Sequence, residues 1–379
     1  DRPMKLNPKA PDVIEVDFER KIEMTMPEGK IFALEGEATT VSSGATPHPL
    51  TLRANLGDCI KVNLTNKMKA SRASFFAPGL AFDPKDSQGL NVGNNGGDQT
   101  IGPSEKRQYT YYAHPSNKET TSLVWDGGNI VVNPRNGLYG AIIVGPRGSQ
   151  YRDPVTGGDI SQKNSWRADV IVDTTLPENV GKRNYRDVAL FFQDEDNIIG
   201  TAFMPYVQNV AGLTSVNYRA EPYKFREDQG CSLGKIFQPC VVGKPEDPAT
   251  PVIEAHAGDA LRIHVIGANS EQNGMFGIEG HEWPIEPYMP GADMISVVEY
   301  AGSETLDVFV RGGAGGPYRQ VGDFVWSNQR LPYTQSGQWG YLRVLPAGDT
   351  RIQPLGAFGA AAKRADLAPQ PKATPTAMK

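Results

Sequence analysis

Gly57-Asp58-Cys59-Ile60-Lys61-Val62 opens a turn-rich stretch that Gly137-Leu138-Tyr139-Gly140-Ala141-Ile142-Ile143-Val144-Gly145-Pro146 closes. Both phrases return later in the chain. Gly258-Asp259-Ala260-Leu261-Arg262-Ile263 repeats the opening, and Gly337-Gln338-Trp339-Gly340-Tyr341-Leu342-Arg343-Val344-Leu345-Pro346 repeats the closing at nearly the same separation. A frame that recurs in this way implies two tandem copies of one fold. Residues 50–54, 60–64, 107–112 and 140–144 read as strands between turns, and 252–255, 261–266, 305–310 and 341–344 repeat the style. No long amphipathic helix is found. Two antiparallel sandwiches are the simplest architecture.

Composition agrees. A chain of 379 residues can bury two cores of ordinary size. Its 41 Gly and 30 Pro suit an all-β fold with many turns. A net charge of −5 gives no electrostatic reason to expect nucleic acid. No apolar run approaches the roughly 18–20 residues that would span a bilayer. The first residue is Asp1 rather than Met, which fits a mature form numbered after cleavage or an arbitrarily numbered chain. Expected boundaries are an arm at 1–19, a domain at 20–148, a linker at 149–165, a second domain at 166–350 and a tail at 351–379.

Three cysteines are present. Cys231 and Cys240 flank a short polar loop, and a disulfide between them would imply an oxidising, extracytoplasmic compartment (periplasm, cell surface or medium). Two free or metal-binding thiols are the alternative. Cys59 reads as a small strand residue. The tail is rich in Ala, Pro and Lys and should not fold alone. It is expected to dock, as is the N-terminal arm, on a neighbouring subunit or on its own domain.

Several phrases together resemble the bacterial multicopper oxidases of the cupredoxin superfamily. They are Arg53-Ala54-Asn55-Leu56-Gly57-Asp58, Asn136-Gly137-Leu138-Tyr139-Gly140, Gly280-His281-Glu282-Trp283, Gly322-Asp323-Phe324-Val325-Trp326 and Ser336-Gly337-Gln338-Trp339-Gly340. The resemblance spans roughly residues 20–350 and implies two tandem cupredoxin-like Greek-key β-sandwiches; the composition adds an extended C-terminal tail. The resemblance also implies copper, held by His-x-His pairs and a Cys because imidazole and soft thiolate suit that metal. At the matching positions stand Phe76 and Pro78, the His-free run 124–129, Gly277 and Glu279, and Asn328 in place of the Cys. Tyr333 and Gln338 stand for the last His and the axial Met. The whole chain has five histidines, His48, His114, His256, His264 and His281.

Glu279 and His281 are the one pair that could hold a metal, because i and i+2 share a face of a strand. A hydrogen-bonding role for His281 is the alternative. No phosphate-binding Gly-rich loop before a helix and no Cys-x-x-Cys occurs. No cofactor is expected, with copper as the alternative. The leading expectation is a non-enzymatic, copper-free subunit of an extracytoplasmic assembly. Its partners would be further copies in a homo-oligomer such as a trimer, or other subunits of a larger assembly. A second reading is a multicopper oxidase-type oxidoreductase with an unconventional site at Glu279, His281 and Asp126. A third is a carbohydrate-binding module using Tyr318, Trp326 and Tyr333.

Overall fold

A computed structural model describes residues 5–7, 10–15, 29–37, 47–194, 214–240, 247–269 and 272–356. Contacts divide the chain into two compact units, one built on Lys30–Asp187 and the other on Val188–Asp349. The tail beyond residue 356 lies outside the described residues. Within the N-terminal arm, Lys5–Asn7 pairs antiparallel with Ala10–Glu15.

In the first unit, strand Leu50–Asn55 runs parallel to Tyr139–Gly145, which runs antiparallel to Thr120–Trp125. A second sheet joins Cys59–Thr65 to Lys106–Tyr112 and that strand to Ala81–Phe82. Strand Lys106–Tyr112 alternates: Tyr109 and Tyr111 are buried while Lys106 and Gln108 face solvent, the period-2 signature of a half-buried strand. The core contains Phe75, Tyr109, Tyr111, Val124, Ile142 and Val144. Residues 149–165, expected as a linker, include strand Gln150–Arg152, which pairs with Arg167–Ile171.

The second unit repeats the plan. Ile253–His256 runs parallel to Trp339–Leu345, followed in the sheet by Gly322–Asn328, Gly274–Ile278 and Val297–Tyr300. Leu261–Asn269 pairs with Thr305–Phe309.

The duplicated glycines have a shared physical cause. Gly57 (φ +93°) and Gly258 (φ +86°) both adopt the left-handed conformation that favours glycine. Gly57 N–H donates to Ala113 O at 2.7 Å, and Gly258 N–H to Ala314 O at 2.8 Å. The next residue closes each turn with its carboxylate. Asp58 Oδ2 accepts from Asn55 N–H at 2.8 Å, and Asp259 Oδ2 from His256 N–H at 2.9 Å. Each Gly-Asp phrase is therefore a side-chain-closed turn that launches a strand. The described helices are short, the longest being Tyr223–Asp228. Among the described residues no helix is long and apolar enough to cross a membrane.

Candidate functional site

The two units can be aligned by strand register. Trp125 lies opposite Tyr139, and Ser327 opposite Trp339. Phe76 bridges to Trp125, and Gly277 pairs with Ser327. Asp126 and Asn328 are therefore equivalent residues, each the next after the last pair with the closing strand. Both are buried.

In the first unit Asp126 is a three-way acceptor. Oδ1 takes the Ser74 N–H at 2.7 Å, and Oδ2 takes the Asn129 N–H and the Asn133 Nδ2–H, each at 2.8 Å. Ser74 Oγ then accepts from Gly127 N–H at 2.7 Å. The carboxylate holds together the loop that precedes the closing strand. Phe76 and Trp125 exchange backbone hydrogen bonds at 3.0 and 2.9 Å.

In the second unit Asn328 occupies the same place with different partners. Its Oδ1 accepts from Met275 N–H and Arg330 N–H, each at 3.1 Å. Its Nδ2 donates to Gln338 Oε1 at 2.8 Å and to the Tyr300 hydroxyl at 3.1 Å. Gln338 Nε2 continues the chain to Gln193 O at 3.0 Å. Burial, together with the nearby Asp194, pushes the Tyr300 hydroxyl well above the ordinary tyrosine range, so it stays a neutral phenol. Around this polar lock Phe192 packs against Tyr300 (4.8 Å between ring centroids), Phe276 (6.1 Å) and Trp326 (6.3 Å).

Strand Gly274–Ile278 stops before Glu279, and Gly280 turns the chain with φ +66°. The face that Glu279 and His281 would share on a continuous strand therefore does not form. Glu279 is exposed, and its Oε2 accepts from Val325 N–H at 3.3 Å. His281 turns inward and is 3% exposed. Its Nδ1–H donates to Glu279 O at 2.7 Å, and its Nε2 accepts from Gly315 N–H at 3.0 Å. Burial holds this imidazole below its ordinary pKa, opposed by the bond to Glu279 O. Both ring nitrogens are thus used by backbone, one as donor and one as acceptor, with the Nδ1–H tautomer fixed by its acceptor. Asp126 belongs to the unit built on Lys30–Asp187, Glu279 and His281 to the one built on Val188–Asp349.

The other histidines are dispersed. His264 Nδ1 meets Asp307 Oδ1 at 2.6 Å, beside Arg262, which reaches Asp307 Oδ2 at 2.5 Å and the Tyr288 hydroxyl at 3.0 Å. Burial alone would raise the Asp307 carboxyl, but Arg262 and His264 hold it well below the usual carboxylate range. His256 Nε2 lies 2.9 Å from Asp349 O, His48 Nδ1 lies 3.1 Å from Pro49 O, and His114 Nδ1 accepts from Ser116 N–H at 3.1 Å. Among the described residues, no three His, Cys, Asp or Glu side chains are grouped to hold a metal ion.

Cys231 and Cys240 form a disulfide, with Cα atoms 5.4 Å apart. The loop it closes wraps Arg226, whose Nη1 donates to Ile236 O and Gln238 O while its guanidinium lies 4.8 Å from the Trp339 ring. Of the aromatics considered for sugar binding, Trp326 and Tyr333 are buried in the core and only Tyr318, 86% exposed, reaches solvent.

No family model matches the chain, and no curated protein matches it in sequence. Solved structures do match. The blue copper oxidase from Nitrosomonas europaea is 15% identical, with 79% of this chain and 76% of that one covered, at a TM-score of 0.50. The multicopper oxidase mgLAC is likewise 15% identical, with 79% and 77% covered, at a TM-score of 0.50. The fold is cupredoxin-like, as in multicopper oxidases. A copper nitrite reductase from Nitrosomonas europaea also matches, at 18% identity and a TM-score of 0.45, with 82% of this chain and 88% of that one covered.

The resemblance read in the sequence implies copper, and the residues at the matching positions do not fit it. Asn328 and Gln338, which that resemblance places at the thiolate and axial positions, are bound to each other. Among the described residues, the indole nitrogens of Trp283 and Trp326 are buried without a hydrogen-bond partner; as donors they cannot ligate a metal. The pairing of Asn328 with Gln338 and Tyr300 was not foreseen from sequence, although two of the three stood at ligand positions in the motif comparison.

Proposed function

We propose that this protein is a copper-free, cupredoxin-like structural or binding subunit of an extracytoplasmic assembly. The observation that carries this reading is the Asn328–Gln338–Tyr300 lock. A copper centre needs ligands whose lone pairs face inward and remain available. Here the Asn328 amide bonds a second amide and a phenol instead, and Phe276 and Trp326 pack with Tyr300 around Phe192. A hydrogen-bonded buried polar network favours one packing arrangement, which suits a scaffold. The disulfide supports an oxidising compartment.

The test is ligand-induced stabilisation. A native-state copper site would raise the unfolding midpoint progressively as Cu(II) or Cu(I) exceeds its dissociation constant. The expected outcome is no rise with either oxidation state, and no oxidation of phenols or metal ions by the copper-treated protein. A saturable rise together with turnover would overturn the reading and favour an oxidoreductase.

A further inference from the structure

We propose that the acidic, apolar hairpin formed by residues 283–295 receives the basic, proline-rich segment 357–379 of a second copy of this chain. This rests on the assembly reading above and gives it a contact surface.

The hairpin is held by Trp283 opposite Ile295 and Pro284 opposite Met294. Ile285 N–H donates to Asp293 O at 2.9 Å and Met289 N–H to Glu286 O at 3.0 Å. Trp283 is buried, but this short element leaves several of its other apolar side chains uncovered. Ile285 is 54% exposed, Tyr288 44%, Met289 64% and Met294 43%. Contiguous exposed apolar side chains with a polar rim mark a binding surface. Methionines among them suit an adaptable contact. Tyr288 is anchored from behind by Arg262 and by the Phe309 ring at 5.5 Å, so the platform is fixed.

Charge selects the occupant. From Trp283 to Val310 the sequence has Glu286, Asp293, Glu299, Glu304 and Asp307 and no Lys or Arg. Three of these are engaged within the fold: Asp307 with Arg262 and His264, Glu299 with Asn273 Nδ2, and Glu304 with Ala301 N–H. Glu286 and Asp293 remain exposed beside the apolar side chains. The segment 357–379 has the complementary composition. It carries Lys363, Arg364, Lys372 and Lys379 against Asp366, with Phe358, Leu367 and Met378 as apolar anchors and Pro369, Pro371 and Pro375. Proline-rich chain enters an aromatic-lined surface at low entropic cost because its extended form is preformed.

The experiment is light scattering of the full chain across concentration and salt, with two charge reversals and their combination. Self-association is expected, weakening as salt screens exposed charge. Glu286→Lys with Asp293→Lys should weaken it about tenfold, and Lys363→Glu with Arg364→Glu should do the same. The combined swap should restore it. Circular dichroism of the hairpin variant should be unchanged, since both positions are exposed. A chain that stays monomeric at all concentrations, or a combined swap that fails to restore association, overturns the proposal. The copper test is separate. A monomer that binds no copper would sink this contact and leave the copper-free reading standing, whereas an associating chain that binds copper would do the reverse.

Discussion

Asp126 in one unit and Asn328 in the other stand at the same place in the same backbone, and they do opposite electrostatic jobs. Asp126 collects donors only: two backbone N–H groups and the Asn133 amide. Asn328 both accepts and donates, which is why an amide is required there. Both hold down the loop before the closing strand, each through its own set of bonds. In both units a polar side chain tethers the loop at this position. Each copy has arrived at its own solution while keeping the Gly-Asp turn unchanged.

The strongest way to break the comparison is to remove the tethers. Asn328→Ala strands Tyr300, Gln338 and two backbone donors, and Asp126→Ala strands three donors. Each should cost about 3 kcal/mol or more, because every buried group left unmade costs about 1–3 kcal/mol. Denaturant unfolding of each variant would check this, and a loss below about 1 kcal/mol for both would show that the loops hold themselves. Exchanging the chemistry sharpens the point. Asn328→Asp should cost about 3 kcal/mol near neutrality, where a carboxylate would face Gln338 Oε1, and less in acid once it is protonated. Asp126→Asn should cost only about 1–2 kcal/mol, with no such pH dependence, since one of its three acceptor bonds is exchanged for a clash of donors.

Replacing Cys231 and Cys240 by Ser should lower stability by about 2–3 kcal/mol, as expected for a short closed loop. The loss should appear in Trp339 fluorescence, because the loop seats Arg226 over that ring.

The turns differ more subtly. A Cβ at Gly57 meets nothing within 4 Å, whereas one at Gly258 would lie 3.0 Å from Arg319 Nε. Gly57→Ala should therefore cost about 1 kcal/mol from backbone strain alone, and Gly258→Ala somewhat more. Equal losses would mean that Arg319 moves aside freely.

The smallest effect is a pH dependence peculiar to the second unit. The folded pKa of His281 is lowered from 6.5, so the unfolded chain binds its proton more readily. Its stabilising contribution is complete above about pH 6.5 and is lost as pH falls toward the folded value. His281→Asn should flatten that part of the stability profile, and an unchanged slope would assign the titration to another group.

The frame was legible in the sequence because turn chemistry is local. The repeat of Gly57-Asp58 at Gly258-Asp259 was plain in the sequence, whereas the left-handed glycine and the closing carboxylate in each are findings of the structure. The strands around Tyr109 and Val144 were equally plain from their patterning. What sat at the copper positions was legible only as a set of residue types. Asn328 and Gln338 are ten residues apart in the chain, but Tyr300 and Gln193 come from distant strands, and no local pattern links them. Glu279 and His281 fared differently for a local reason. Alternation would keep them on one face, but the strand stops at Ile278 and the left-handed Gly280 then turns the chain between them. Trp326 and Tyr333 read as ring platforms in the sequence but are core residues, because aromatic identity does not reveal which face of a strand or turn is covered.

The metal content of the protein, measured per protomer by mass spectrometry after purification without added metal and again after gentle copper loading, bears on all of this at once. No stoichiometric copper in either sample is the expected result. One or more tightly held copper ions per chain would contradict it, and would mean that the Asn328–Gln338–Tyr300 lock does not stand in for the metal.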